Sequence, residues 1–359
     1  MSRKPVYTAA LMGTGRIGFT LGFDKKREQP ASHTMALRAN KRIKLIAACD
    51  TDAIKLENWK RYCSHATTYS SYGHLLAACS PDIIVIAVNE DAHLDTALAA
   101  IRSKPKLIIL EKPVALTMKD GLAIADEAKK NDVPIMVNHE RRFALDYKIA
   151  KSYMKKIGEL QSITAELCSS LRVYSKQDEA SGEYSLLHDG THLIDIVHYL
   201  LTQDHLSDKT ASSDLQRRSI LYDMALESVF RDKSDISIVR NISVHFASDV
   251  CPDVTIKISG RSKFFSFGID VLGTEGRIKI GNGYAEFYKR EAATMYTGFY
   301  SLVRDDTVAL PTKTKYFSNM VQAAVDFLDG TLPLMSTLQD GLNDLDIIEQ
   351  IRCAIRENT

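Results

Sequence analysis

Residues 6–18 read VYTAALMGTGRIG: β-forming and small apolar residues from Val6 to Met12, then Gly13-Thr14-Gly15-Arg16-Ile17-Gly18. The apolar run, bounded by Pro5, predicts a buried parallel strand, and the GxGxxG falls where that strand gives way to a helix. In this context each glycine has a task. The first permits the tight turn, the second lets backbone amides approach a pyrophosphate, and the third lets helix and strand pack closely. The helix amino terminus adds partial positive charge facing the phosphates. Gly13, Gly15, Arg16 and Ile17 are therefore candidate dinucleotide-binding residues. A glycine-rich turn without a ligand is the competing reading of the same residues.

Further short apolar runs follow at Ile43 to Cys49, Ile83 to Val88, Leu107 to Leu110 and Ile135 to Val137, alternating with helical patterns at 91–103 and 117–131. Alternating strand and helix predicts an α/β domain with a doubly wound parallel sheet over residues 1–141. The stretch from Phe19 to Asn40 is longer than a simple crossover helix and contains DKKREQPASH, so a surface insertion is expected there. Asp50 ends the second strand, where a carboxylate can accept hydrogen bonds from both adenosine-ribose hydroxyls and repel a 2′-phosphate. That favours NAD over NADP. Asp50 lies farther from the glycines than the usual spacing of about 20 residues, which the insertion accounts for. An aspartate that merely caps the next turn is the alternative, and Arg16 and Arg42 are basic residues that would admit NADP.

After about Arg142 the rhythm changes. A helix from Ala144 to Lys156, a strand from Gln161 to Ser169, a helix through LLHDGTHLIDIVHYLL and strand-like runs from Ile236 to Phe287 predict an α+β domain with a large, mostly antiparallel sheet over 142–335. Thr202 to Lys233 gives no clear pattern. The stretch LQDGLNDLDIIEQIRCAIREN predicts an amphipathic helix over 336–359 that packs back on the body.

With 46 basic and 45 acidic residues in 359, the chain lacks the charge footprint of nucleic-acid or membrane-surface binding, so a small-molecule partner is expected. Cys49, Cys63, Cys79, Cys168, Cys251 and Cys353 are scattered without a CxxC pair, which fits structural thiols in a reducing compartment. No segment approaches bilayer-spanning length, and the expected location is cytoplasmic.

Glu111-Lys112-Pro113 stands at the carboxyl end of a buried strand, the edge where open α/β sheets bind ligands. Pro113 fixes the local backbone and restricts Lys112 to extended geometry. A partly desolvated lysine there can exchange a proton with a substrate hydroxyl. A surface loop with a salt-bridged lysine is the competing reading. In the second domain, His188, His192 and Asp195 are spaced to share one side of a helix. A histidine beside a substrate hydroxyl can take its proton as hydride leaves the carbinol carbon, and Asp195 can orient the ring. HxxxH with a carboxylate lacks a third metal ligand in view, so no metal is expected. A structural, buried role fits His198 better than His188.

GTGRIG, Cys49-Asp50, AVNEDAHLDTALAAI, EKP at 111–113, NHERRF at 138–143 and LGTEG at 272–276 together resemble the Gfo/Idh/MocA oxidoreductase family, in order and over nearly the whole chain. EKP after a strand is the most specific element. The resemblance implies an NAD-dependent oxidoreductase that moves a hydride between nicotinamide and a secondary alcohol or ketone of a sugar, nucleotide sugar or inositol. It places Lys112 at the catalytic site and His192 as proton acceptor. On this reading Asn138, Arg142 and His188 line the substrate side, with Asp195 beside them, and Asn89, His93 and Glu111 the cofactor side. Asn89 departs from the family's usual proline and His188 from its usual aspartate. The resemblance also implies a homodimer or homotetramer, because the open face of the second-domain sheet is usually buried between subunits. Two other functions stay open: a redox-neutral NAD-dependent hydrolase or lyase, and a non-catalytic dinucleotide sensor. Retention of both Lys112 and His192 argues against the sensor.

Overall fold

The computed structural model describes residues 4–169, 185–202 and 220–358. Ile83–Ile86 and Leu107–Leu110 are runs of branched apolar residues buried at every position, and a strand apolar on both faces is stable only inside a parallel sheet covered on both sides. They form β4 and β5 of a six-stranded parallel sheet with β1 (Tyr7–Met12), β2 (Ile43–Cys49), β3 (Thr67–Tyr69) and β6 (Ile135–Val137), in the order β3-β2-β1-β4-β5-β6. The order reverses between β1 and β4, so the crevice beyond their carboxyl ends is the ligand position of such a sheet. The covering helices are α1 (His33–Ala39), α2 (Ala53–Tyr62), α3 (Tyr72–Ala78), α4 (His93–Arg102) and α5 (Met118–Asn131).

The insertion differs from the sequence expectation. No long helix follows Gly18 directly; residues 15–19 make a turn and Thr20–Phe23 a 3-10 turn. Then the His33 amide donates to the Ile17 carbonyl at 3.1 Å and the Thr34 amide to that of Gly18 at 2.9 Å. Helical bonds run from residue i to i−4, so these are bonds of one helix from which the twelve residues 19–30 bulge outward. Only this excursion is inserted; His33, Thr34, Ala36 and Leu37 of α1 are buried, because that part of the stretch is the interrupted helix resuming. The Thr34 hydroxyl donates to the Gly18 carbonyl and accepts from Trp59 Nε1, both buried, which pins the seam. At its far end Glu28 accepts from the Thr314 amide and hydroxyl and from the Lys315 amide at 2.6–3.0 Å.

Two compact units emerge: Met1–Ala144 with Lys313–Leu342, and Leu145–Thr312 with Asn343–Thr359. Residues 313–335, expected in the second domain, thus return to the first unit. The reason is apolar: Phe317, Met320, Val321, Ala324 and Val325 of α10 (Tyr316–Leu328) join the core that contains Phe19, Leu37, Trp59 and Phe143. The segment before the last helix makes a single antiparallel bridge to β6, where the Val137 amide donates to the Ser336 carbonyl at 2.8 Å. The last helix, α11 (Leu338–Glu357), begins in the first unit and continues in the second.

The second unit is an eight-stranded sheet, β7 (Leu160–Cys168), β8 (Tyr222–Arg231), β9 (Val239–Ser248), β10 (Cys251–Ser259), β11 (Ser266–Gly273), β12 (Gly276–Gly281), β13 (Tyr284–Ala292) and β14 (Tyr300–Arg304), in the order β14-β13-β12-β11-β7-β10-β9-β8. It is antiparallel except between β7 and β10. Strands such as β9 alternate buried and half-buried residues, as expected of a sheet covered on one face. The helices on it are α7 (Leu145–Tyr153), beside β12 and β13, and α9 (Gly190–Leu201), beside β7 and β10. β8 occupies part of the stretch that gave no pattern in the sequence. Residues 203–219 lie outside the described residues. The six cysteines are free, and burial pushes the Cys49 thiol up to about 12. Among the described residues no helix is long and apolar enough to cross a membrane.

Candidate active site

The three glycines each have a distinct reason. Gly13 has φ +95°, a left-handed conformation that disfavours side chains, and a Cβ there would strike the Ala87 carbonyl at the end of β4. A Cβ on Gly18 would strike the Gly13 carbonyl, so that glycine permits close packing of turn and helix. Gly15 is different: a Cβ there meets no atom within 4 Å. Nothing in the protein requires a glycine at 15, whereas a ligand lying against the backbone would.

Asp50 faces this turn. One carboxylate oxygen accepts from the Thr14 amide at 2.7 Å and hydroxyl at 3.0 Å, and the other from the Asp52 amide at 2.9 Å. The carboxylate therefore fastens the glycine turn to the end of β2, and the cap of α2 falls to Asp52, which accepts from Ile54 and Lys55. Arg42 does not share this place. It precedes β2, a seven-residue strand away from Asp50, or about 23 Å of rise, and its guanidinium is paired in a fork to Asp329. Arg16 and Asn89 are exposed and Ile17 is half-buried.

At the end of β5, Glu111 is 7 % and Lys112 9 % exposed, so the pair is held inside the protein and not on a surface loop. The Lys112–Pro113 peptide is cis. One oxygen of Glu111 receives two short bonds, from His33 Nε2 and from Asn138 Nδ2, each 2.6 Å. Burial pushes the Glu111 carboxyl up, but the His33 and Asn138 bonds and the charge of Lys112 outweigh it and hold the pKa below its ordinary value. His33 Nε2 therefore carries a proton toward a carboxylate. His93 Nδ1 lies 2.7 Å from the Pro113 carbonyl, and burial lowers the ring's pKa, leaving a neutral imidazole whose Nε2 is a bare acceptor. His33 Nδ1, His93 Nε2 and Asn138 Oδ1 are buried without a hydrogen-bond partner. Three such atoms around one turn are costly unless something binds there. Arg142, in α6 (Glu140–Phe143), is 6 % exposed and pairs with Asp340 at 3.1 Å.

His33 was missed in the sequence. It sits three residues past Gly18 only after the excursion is counted out, and the Ser32 cap that restarts the helix was the available signal.

In the second unit the expected single histidine helix is broken. His188 ends a short helix, α8 (Ser185–His188), and is exposed, whereas α9 starts at Gly190. The three polar residues do not share one continuous face. His192 is half-buried, Asp195 buried, and His198 is buried with Nδ1 2.7 Å from Asp344.

A doubly wound parallel sheet and a glycine turn with an open cradle at its second glycine define a Rossmann-type fold, with a buried lysine at the end of one of its strands. Residues 8–139 match the model of the Gfo/Idh/MocA oxidoreductase family, described as an oxidoreductase family with NAD-binding Rossmann fold, so the first part of the chain is similar to that family. The inositol 2-dehydrogenase of Salmonella typhimurium is 26 % identical over 226 residues, 59 % of this chain and 64 % of that protein. The match thus spans less than two thirds of that relative's length. The solved dehydrogenase of Chromobacterium violaceum superposes with a TM-score of 0.75 at 15 % identity over 98 % of this chain and 96 % of that one. The WlbA dehydrogenase of Bordetella pertussis, solved with NADH and UDP-GlcNAcA, gives 0.71 at 15 % over 100 % and 98 %.

Proposed function

We propose that the protein is a cytoplasmic NAD-dependent dehydrogenase that oxidises a secondary alcohol of a sugar, nucleotide sugar or inositol, or reduces the corresponding ketone. The observation that carries this reading is the buried Lys112 at the carboxyl end of β5, in a turn ringed by three buried polar atoms without partners. In this reading the open Gly15 backbone takes a dinucleotide pyrophosphate, and Asp50, beside the glycine turn, takes the adenosine ribose and opposes a 2′-phosphate. With Arg42 committed to Asp329, one of the two cations that would favour NADP is removed. Bound nicotinamide supplies the hydride chemistry. Lys112 orients and polarises the substrate oxygen, and His192 takes or returns its proton, with Asp195 steadying the ring. Asn138, Arg142 and His188 are assigned to substrate, and Asn89, His93 and Glu111 to the nicotinamide side. Assembly as a homodimer or homotetramer through the half-buried face of the eight-stranded sheet belongs to the same proposal.

The test follows nicotinamide absorbance with NAD and, separately, NADP over a panel of inositols, hexoses and nucleotide sugars. Lys112-dependent NADH formation with one class supports the proposal. Turnover without net NADH would move it to a redox-neutral hydrolase or lyase. Tight NAD binding with no turnover would leave a sensor.

The glycines give a second test. Gly15→Ala meets no protein atom, so its melting temperature should match the wild type while dinucleotide affinity falls about tenfold or more, a loss of about 1.4 kcal/mol. Gly18→Ala drives a methyl against the Gly13 carbonyl and should lower the melting temperature itself. Unchanged dinucleotide affinity in Gly15→Ala would remove the pyrophosphate from this turn.

A further inference from the structure

At one end of the second-unit sheet, the β8–β9 turn and the loop after β10 line an open cleft of about 440 Å³. Its charged lining is Arg231, Lys233, Arg240, Arg261 and Lys263 against a single acid, Asp232. In a chain with 46 basic and 45 acidic residues this local excess is not inherited from overall composition. Like charges gathered in a cleft repel one another and focus the field on any anion that enters.

The wall of the cleft is pre-organised. Asp232 is already engaged: one oxygen accepts from the Ser234 amide and hydroxyl at 2.9 and 2.6 Å, the other from Arg240 at 2.6 and 2.7 Å. These bonds hold its carboxyl well below the usual carboxylate range, so it stays charged but neutralises Arg240 alone. Arg231 ties the turn to the Ile236 and Ile355 carbonyls at 3.1 Å, bringing its guanidinium to the same wall. The Arg261 guanidinium stacks 3.9 Å from the Phe230 ring centroid, which fixes its plane and leaves its edge for another partner. Lys233 and Lys263 form no ion pair among the described residues.

We infer that this cleft binds a small ligand bearing a diphosphate or two neighbouring phosphoryl groups, at a site separate from the glycine turn. A stacked arginine fork flanked by lysines as point charges suits phosphoryl oxygens. The volume is that of a small-molecule site, and the chain as a whole is near neutral.

The test is calorimetric titration of the full-length protein with inorganic pyrophosphate at physiological salt, compared with the double variant Arg261→Gln, Lys263→Gln. Pyrophosphate also resembles part of a dinucleotide, so each protein is titrated with NAD as well. The expected result is saturable pyrophosphate binding, weakened about tenfold or more in the variant, with NAD affinity and melting temperature unchanged. Equal pyrophosphate affinity in the two proteins, or no saturable binding to either, would overturn the site. Equal affinity of the wild type for citrate would overturn its assignment to phosphoryl groups.

Discussion

Lys112→Ala lowers kcat by a factor of about 10² to 10⁴, the range lost when a positioned proton-transfer group is removed, while dinucleotide affinity stays within about threefold. The expectation rests on where the lysine is held. At 9 % exposure, beside a buried carboxylate at the strand edge that faces the ligand crevice, its ammonium has little water to answer to. Lys112→Arg separates charge from proton exchange: arginine keeps the cation beside Glu111 but does not give up its proton near neutral pH. It should keep wild-type stability and leave turnover low. A Lys112→Ala enzyme with wild-type kcat would reduce the lysine to a counter-charge for Glu111.

Glu111→Ala is the variant expected to cost most in folding. It leaves His33 Nε2 and Asn138 Nδ2, each now 2.6 Å from carboxylate oxygen, as buried donors that have lost this acceptor, and it removes the negative charge near Lys112. Removing one partner of a buried charged network costs about 3–5 kcal/mol, or about 6–20 °C in melting temperature for a unit of this size. Glu111→Gln keeps an acceptor and should lose less. The pH dependence has a definite sign. The folded Glu111 pKa lies below its ordinary value of 4.5, so its contribution is fully present above that pH and is lost as the pH falls through the folded pKa. The wild-type and Glu111→Ala urea midpoints should therefore differ at pH 7 and approach each other as the pH falls below 4.5 and through the folded pKa. A constant difference between them would mean that the ionised carboxylate is not the source of the effect.

The six-stranded sheet was legible because most positions of its strands are apolar and the strands are short, so β1, β2, β4, β5 and β6 stand out as runs. β3, with only Thr67, Thr68 and Tyr69 and none of them buried, carries no such signal. β8 was hidden for a related reason: as an edge strand it has no buried position, so its alternation is absent. The return of α10 to the first unit was not legible, since an amphipathic helix announces that it buries one face but not against which core. Among site residues, local motifs revealed the glycines, Asp50 and Lys112. His33 depends on a contact across 78 positions to Glu111, and its register is concealed by the excursion before it. The break at Asp189 escaped because the helical spacing of apolar residues continues through it.

The seam between Gly18 and Ala31 has a consequence for how this chain tolerates change. The hydrogen bonds that continue the helix close across the gap, so the length of the detour is free to vary; each doubling of a loop costs only about 0.6 kcal/mol. Lys25 and Lys26, on its exposed outer bend, form a natural cassette site. A reporter peptide threaded between them would extend from the exposed bend of the excursion without entering the six-stranded sheet.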